Sequence, residues 1–427
     1  MFFDKHTGTR TTGFNIITIF FLCLPCMAAA ATGAKLSLKE AEQIALDMDP
    51  MTRAFAARAE AYTEQAVADG QLPDPKLKLG TMNVPVDSFD IEQEPMTQLQ
   101  VGVVQAIPPG QTLRYRREYT EALSNAETAR RYDQALKVLR DVRVRYLELY
   151  YQNQAESILH KNRALFAELL DTTQRQYAAG RDNQHEVLRA QLELSLVDDR
   201  ILEVERARDA AVGDLARYLT LEQSSRPVAD TFPVLPALPS ESQIKDRLSQ
   251  HPLMRVEDAS VLASEKKINE VEQQYKPGFN IDVTYGNRFG STAGAGRPDM
   301  LSAMVTVDLP LFTHKRQDKR LAAARSRSQA TQYARTDQLY ELNSMLDREY
   351  ASWDRLNDRL ELYQKRAVSD ARSNTESTLR AYQSDIADFT TLMRAQLLEL
   401  NTQLDMLRVR VERARVQAKL LYLTGEM

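Results

Sequence analysis

Two heptad seams lie between His314 and Leu421. Leu339, Leu342, Leu346, Glu349, Trp353, Leu356, Leu360, Tyr363 and Ala367 fall at alternating steps of three and four, with Glu349 the one polar member. The pattern restarts with Met393, Leu397, Leu400, Leu404, Leu407, Val411, Ala414, Ala418 and Leu421, all apolar. This period predicts two long helices lying back to back in a coiled coil. The first, from about Arg316 to Ala381, would span roughly 100 Å at about 1.5 Å per residue, far more than a globular core requires. A pair of that length is built to cover a distance, as in a cytoskeletal or scaffolding rod.

The same plan occurs earlier in the chain. Ser37-Leu38-Lys39-Glu40 and Ser240-Glu241-Ser242-Gln243 are both capping-box sequences and lie 203 residues apart. To within two residues, that offset also relates Asp49-Pro50 to His251-Pro252, Pro73 to Pro277, Pro108 to Pro310, Tyr177 to Tyr382, Ala190-Gln191 to Ala395-Gln396, and Tyr218-Leu219-Thr220 to Tyr422-Leu423-Thr424. The chain therefore divides into a first repeat over 36–222, a Pro-rich linker over 223–239 and a second repeat over 240–425. Each repeat reads as a capped helix, a Pro stop, two strands, a long helix, a tight turn and a returning helix. In the first repeat these helices cover Ser37 to about Gly70, about Leu113 to Ala179, and about Gln184 to Leu221. The turn is Gly180-Arg181-Asp182-Asn183. The returning helix has its own seam, from Val187 through Ala190, Leu194, Val197, Ile201, Val204, Ala211 and Leu215 to Tyr218, broken only by Arg208.

Between the helices the period changes from seven to two. Phe279, Ile281, Val283 and Tyr285 alternate with Asn280, Asp282, Thr284 and Gly286, and Leu301 to Leu311 alternates likewise. In the first repeat Leu99, Val101 and Val103 alternate with Gln98, Gln100 and Gly102. Leu77 and Leu79 alternate with Lys76 and Lys78 until a phase slip at Gly80-Thr81, where a bulge is expected. These are strands with one apolar and one polar face. A soluble sheet packed on helices and a membrane barrel wall both fit that alternation.

Composition narrows the choice. The 427 residues carry a net charge of −4, which argues against nucleic acid as a partner. Lys5 and Arg10 precede an apolar run from Ile16 to Leu24 and the small residues Ala28 to Ala31, so residues 1–31 read as a secretory signal peptide. Both cysteines, Cys23 and Cys26, fall in it, so disulfides do not hold the exported chain together. Leu24-Pro25 before Cys26 is a poor match to a lipoprotein cleavage site. For an exported chain the barrel reading makes a demand: four strands leave two unpaired edges, and barrels start at about eight strands. Copies must share one. A dimer would supply eight strands and a trimer twelve, and twelve could leave an open lumen.

That plan resembles the TolC-type outer-membrane efflux family. The resemblance rests on the duplicated Pro stops, Leu72-Pro73-Asp74-Pro75, Gln105-Ala106-Ile107-Pro108 against Asp308-Leu309-Pro310-Leu311-Phe312, Tyr177-Ala178-Ala179-Gly180 with Leu188-Arg189-Ala190-Gln191, and the terminal Tyr422-Leu423-Thr424-Gly425. The run Leu72 to Gly80, with Met82-Asn83-Val84-Pro85-Val86 and Glu94-Pro95-Met96-Thr97, looks most like the heavy-metal, CzcC-like branch. The resemblance implies a mainly α protein with long antiparallel coiled-coil helices and four transmembrane strands per protomer. It implies a homotrimer with a twelve-stranded β-barrel in outer-membrane lipid and an α-helical tunnel in the periplasm. A periplasmic adaptor (membrane fusion protein) and an inner-membrane pump of the resistance-nodulation-division (RND) type are the implied partners. The duct would be passive, with no enzyme activity and no cofactor, and its cargo would be heavy-metal cations; drug efflux, type I protein secretion and a non-conducting scaffold are the alternatives.

Family members ring the periplasmic constriction with acids on the second returning helix. Alignment by Tyr382 and Ala395-Gln396 puts Thr391 and Arg394 at those places, with Asp388 one turn earlier and Glu186 at the matching place in the first copy. These four are the candidate gate. Gly180 and Arg181 at one hairpin tip, and Ser384, Asp385 and Ile386 at the other, are the candidate adaptor contacts. His6, His160, His185, His251 and His314 are scattered without metal-ligand spacing, so no bound metal is expected. Met82, Met96, Met300 and Met304 offer soft thioethers, or fill apolar gaps in the strands. Neither a phosphate-binding Gly loop nor a G-x-S-x-G motif occurs.

Overall fold

A computed structural model describes residues 35–180, 183–292, 295–384 and 386–426. The expected signal peptide lies outside them. The first half contains α1 (Leu38–Met48), α2 (Pro50–Asp69), β1 (Lys76–Met82), β2 (Gln98–Ile107), α3 (Thr112–Ala178), α4 (Gln184–Ala216) and the short α5 (Leu221–Ser224). The second contains α6 (Glu241–Arg247), a 3₁₀ turn (Leu248–Gln250), α7 (Pro252–Gln273), β3 (Gly278–Arg288), the two-residue strands β4 (Ser291–Thr292) and β5 (Ala295–Gly296), β6 (Met300–Asp308), α8 (Gln317–Leu362), α9 (Val368–Gln383) and α10 (Phe389–Leu423).

Four local expectations are corrected. The helix expected over Ser37 to Gly70 is two, because Pro50 opens α2 and the Asp49 carboxylate accepts the Thr52 N–H at 2.7 Å. The long helix expected from Arg316 is interrupted by a π-helical turn, Tyr363–Ala367. The reason lies in the spacing: Tyr363, Ala367, Ala371 and Thr375 follow one another at steps of four, each overshooting an α-helical face by about 40°. The wider π turn takes up that excess rotation, and Ala371 and Thr375 stay buried. Only Ser240 forms a reciprocal capping box; Ser37 accepts the Glu40 N–H, but the Glu40 side chain pairs with Arg226 at 2.6 Å instead. No bulge occurs at Gly80-Thr81, since β1 pairs with β2 in unbroken register from Lys76 to Met82.

The outgoing helices match in length across the halves. α8, the π turn and α9 contain 46, 5 and 16 residues, together as many as the 67 of α3. All members of the three seams are buried or half-buried. The two polar interruptions are both answered by opposite charge: Glu349 meets Arg348 at 3.1 Å and Lys419 of α10 at 3.4 Å, and Arg208 meets Glu156 of α3 at 2.7 Å. Trp353 is capped by the Arg413 guanidinium 4.1 Å from its ring centre.

The segment before α6 straps the two halves together. Leu36 and Val228 form a parallel bridge, and the Tyr146 hydroxyl donates to the Leu36 carbonyl at 2.7 Å. Phe232 packs edge-on against Tyr150 and lies under Arg410 of α10, 4.0 Å away. At the start of α7, His251 is buried. Its Nδ1 accepts the Leu253 N–H at 3.2 Å, so Nε2 carries the proton and donates to the Tyr422 carbonyl at 3.0 Å. Burial holds the His251 pKa below its ordinary 6.5.

Leu346 is fully buried and Leu362 exposed, so Leu346→Ala should cost about 2–5 kcal/mol whereas Leu362→Ala stays within about 0.5. Thermal unfolding in detergent measures both. The stability that neutral His251 contributes is complete above pH 6.5 and is lost as pH falls through that value toward its lowered folded pKa. The unfolding midpoint of the wild type should fall over that range, and that part of the fall should be absent in His251→Asn, which keeps a capping side chain.

Candidate functional site

The four long strands form one antiparallel sheet in the order β1-β2-β3-β6. The register sorts its two faces. One face carries Leu77, Val103, Val283 and Ala303 in one row, Leu79, Val101, Tyr285 and Leu301 in the next, and Ile107, Phe279 and Val307 nearer the helices. The other carries Lys76, Val104, Asp282 and Met304, then Lys78, Gly102, Thr284 and Ser302, then Gly80, Gln100, Gly286 and Met300. The first face is apolar and exposed, which in a protein surface marks a contact with something apolar. On the second, Lys78 and Asp282 pair at 3.0 Å across the strands. A Cβ at Gly102 would run into the Thr284 side chain and one at Gly286 into Gln98, so that face is crowded at both glycines. Among the described residues, β1 and β6 each pair along one edge only.

Of the four methionines, Met96 lies between β1 and β2 and the register places the other three. Met82, Met300 and Met304 lie on the polar face, and the Gln100 amide donates to the Met82 sulfur at 3.0 Å. An apolar gap to fill is not what surrounds them.

At the other end, the starts of α4 and α10 lie side by side. The Arg189 guanidinium donates to Thr390 Oγ1 at 3.3 Å, and Ala190, Phe389 and Met393 share one buried cluster. The Tyr382 hydroxyl bonds the Gln176 side chain at 2.6 Å, tying the second hairpin to the first. Asp388 is the N-cap of α10, accepting the Thr391 N–H at 2.7 Å. The hydrogen bonds from Thr391, with the nearby charges of Arg394 and Arg189, hold its carboxyl below the ordinary 3.8. Thr391 and Arg394 are exposed on the first turns of α10. Glu186 is half-buried in the first turn of α4, one of its oxygens enclosed without a hydrogen bond among the described residues. Asp388, Thr391 and Arg394 thus gather with Arg189, which the sequence reading had not singled out. The duplication carried the signal, since Arg189-Ala190-Gln191 repeats as Arg394-Ala395-Gln396.

The two tips close differently. Gly180 takes a left-handed φ of +72° and donates to the Tyr177 carbonyl at 2.9 Å. At the second tip the Ala381 carbonyl accepts from Ser384 at 3.2 Å and from Ile386 at 2.9 Å, and the Ile386 side chain is exposed. Arg181 and Asp385 lie outside the described residues.

One further group converges along the first hairpin. Glu156 and His160, one turn apart on α3, meet Glu205 of α4, with a donor atom from each within 4.8 Å of the others. The spacing Glu156-x₃-His160 was visible in the sequence, but the third member lies 45 residues beyond His160 and needs the hairpin to bring it close.

The profile of the family described as "Outer membrane efflux protein" matches residues 42–220 and 244–426. No curated protein gives a significant sequence match. Among solved structures, the chain is similar to the outer membrane protein VceC from Vibrio cholerae, with 16% identity, a TM-score of 0.76, and 91% of this chain and 96% of that one covered. It is also similar to CusC, with 14% identity, a TM-score of 0.76, and 92% and 93% covered. The MtrE outer membrane channel of Neisseria gonorrhoeae, in its open state, shares 18% identity with a TM-score of 0.72 over 91% of this chain and 88% of that one. At these identities the likeness concerns the fold.

Asp388→Ala should expose the Thr391 amide and raise its hydrogen-exchange rate, whereas Asp388→Asn, which still caps, should change it little. The contribution of the Asp388 carboxylate is present above pH 3.8 and is lost as pH falls through its lowered folded pKa.

Proposed function

The chain belongs to the outer membrane efflux protein family, and on that basis we propose that it is the homotrimeric outer-membrane duct of a tripartite efflux system, passively conducting heavy-metal cations. The observation that carries this reading is the sheet with two open edges. Since neighbouring strands alternate in direction, β6 of one copy meets β1 of the next antiparallel, and a ring of copies closes with every edge paired. Three copies give twelve strands and an open lumen. The apolar face then turns to lipid, and the crowded polar face with Lys78, Asp282 and Gly102 turns inward, as closure of a curved sheet favours. The helices continue the ring into the periplasm as a tunnel, where an adaptor meets the tips at Gly180 and Ser384 to Ile386 and joins the tunnel to an inner-membrane pump of the RND type. The pump supplies the energy; the duct keeps cargo away from lipid and periplasm.

The repeat over 36–222, the strap over 223–239 and the repeat over 240–425 are the units of that ring. Glu186, Asp388, Thr391 and Arg394 form its periplasmic constriction. Metal cargo is supported by Met82, Met300 and Met304, whose thioethers lie on the face assigned to the lumen. Thioethers hold soft cations weakly enough to release them. A second reading, a duct for drugs or polypeptides, is favoured by Arg189 and Arg394 at the tunnel end, where guanidinium groups repel cations.

The mature protein should migrate from outer-membrane fractions as an SDS-resistant, heat-modifiable trimer and conduct in a planar bilayer. A water-soluble monomer that never partitions with lipid would end the proposal. Val305→Asp, on the apolar face, should block assembly of the trimer in membranes, whereas Ser302→Asp on the other face should leave it intact. Deletion should sensitise cells to one or more of cobalt, zinc, cadmium, copper and silver; sensitivity confined to hydrophobic drugs selects the second reading.

A further inference from the structure

We propose that Glu156, His160 and Glu205 form a binding site for a divalent cation of the zinc, cobalt or nickel class, clipping α3 to α4. The site is separate from the lumenal methionines and stands whether or not the duct carries metal.

The geometry is that of a three-ligand site awaiting contraction. Glu156 and His160 occupy one face of α3 at positions i and i+4, with His160 Nε2 3.9 Å from Glu156 Oε1. Glu205 approaches from α4, all three donors lying within 4.8 Å of one another. Zinc bonds of about 2.0–2.2 Å would draw these donors together by roughly an ångström, which rotamer adjustment of long side chains supplies. His160 is exposed and Glu156 and Glu205 half-buried, so the site has both an entry path and a partly desolvated floor. Carboxylates alone would favour magnesium or calcium; the imidazole shifts the preference to borderline transition metals, with water completing the coordination.

Arg208 supplies the second observation. It is the one polar member of the α4 seam, where an apolar side chain would pack without cost. Its guanidinium Nη1 lies 3.0 and 2.7 Å from the two Glu156 oxygens, a positive charge held at the carboxylate that the metal would take. Its other nitrogens reach Asp209 Oδ1 at 3.2 and 3.1 Å. Arg208 therefore has a second acceptor ready when a cation displaces it from Glu156. A paired charge in a packed seam adds little stability over apolar residues, so its presence there fits a placeholder that is exchanged for metal.

Titration calorimetry of the untagged full-length protein in detergent, with zinc chloride at neutral pH, tests this. One zinc should bind per chain. His160→Ala and Glu205→Gln should each weaken binding at least tenfold, and Arg208→Gln, by removing the competing cation, should tighten it severalfold. Zinc should also raise the thermal midpoint of the wild type and fail to raise that of His160→Ala, a readout that also reports whether each variant is folded. Absence of saturable binding, unchanged affinity in folded His160→Ala, or weaker binding in folded Arg208→Gln would each overturn the assignment.

Discussion

Backbone hydrogen bonding at the two outer edges of the sheet is the constraint on which the rest depends. β1 and β6 each present a row of N–H and C=O groups that nothing in the described chain satisfies. In water such an edge invites pairing with another strand; in hydrocarbon every unsatisfied group costs several kcal/mol. The apolar and polar faces sorted by the register make sense only for a sheet with unlike surroundings on its two sides. Closure by further copies would satisfy the edges and separate those surroundings in one step.

The helices answer a different requirement, which is length. Sixty-seven residues of continuous helix in α3 cannot be held by propensity alone and depend on packing against α2, α4, α7 and α10 along the rod, as α4, α8 and α10 depend on their seams. Charge is admitted to those seams only where it is met: Glu349 by Lys419 and Arg208 by Glu156. The strap then crosses both hairpins, with Phe232 between Tyr150 and Arg410 and the Pro236 carbonyl accepting from Gln417 at 2.7 Å. Its prolines keep it extended, so it joins the halves without adding a competing helix.

Although the two halves repeat one plan, their local chemistry has diverged. Asp49 caps α2 with a carboxylate, whereas His251 caps α7 with a neutral imidazole that also reaches Tyr422. A π turn occurs in the second outgoing helix, while α3 runs on without one. One tip closes on a left-handed glycine and the other on a carbonyl shared by several amides. A partner meeting both tips would therefore meet two surfaces. Asp388 in turn is occupied with capping its own helix, and that hydrogen bond stabilises its carboxylate.

Periodicity along the chain was enough to determine the order of the long elements, the buried face of α4, α8 and α10 and the two faces of β2, β3 and β6, because those depend on residues a few positions apart. Proline and capping residues marked most boundaries for the same reason, although the weight of Asp49-Pro50 as a helix break was missed. What only the tertiary structure decided is long-range: the order β1-β2-β3-β6, the unbroken pairing of β1 that keeps Met82 on the face of Lys76 and Lys78, and the meeting of Arg189 with Thr390 across the two repeats. The convergence of Glu205 on Glu156 and His160 belongs there too. A seam specifies which side of a helix is buried but not which partner residue stands opposite, since many registers bury the same stripe. Register is settled by the whole set of contacts at once, and with it the places where charged and ligating side chains meet.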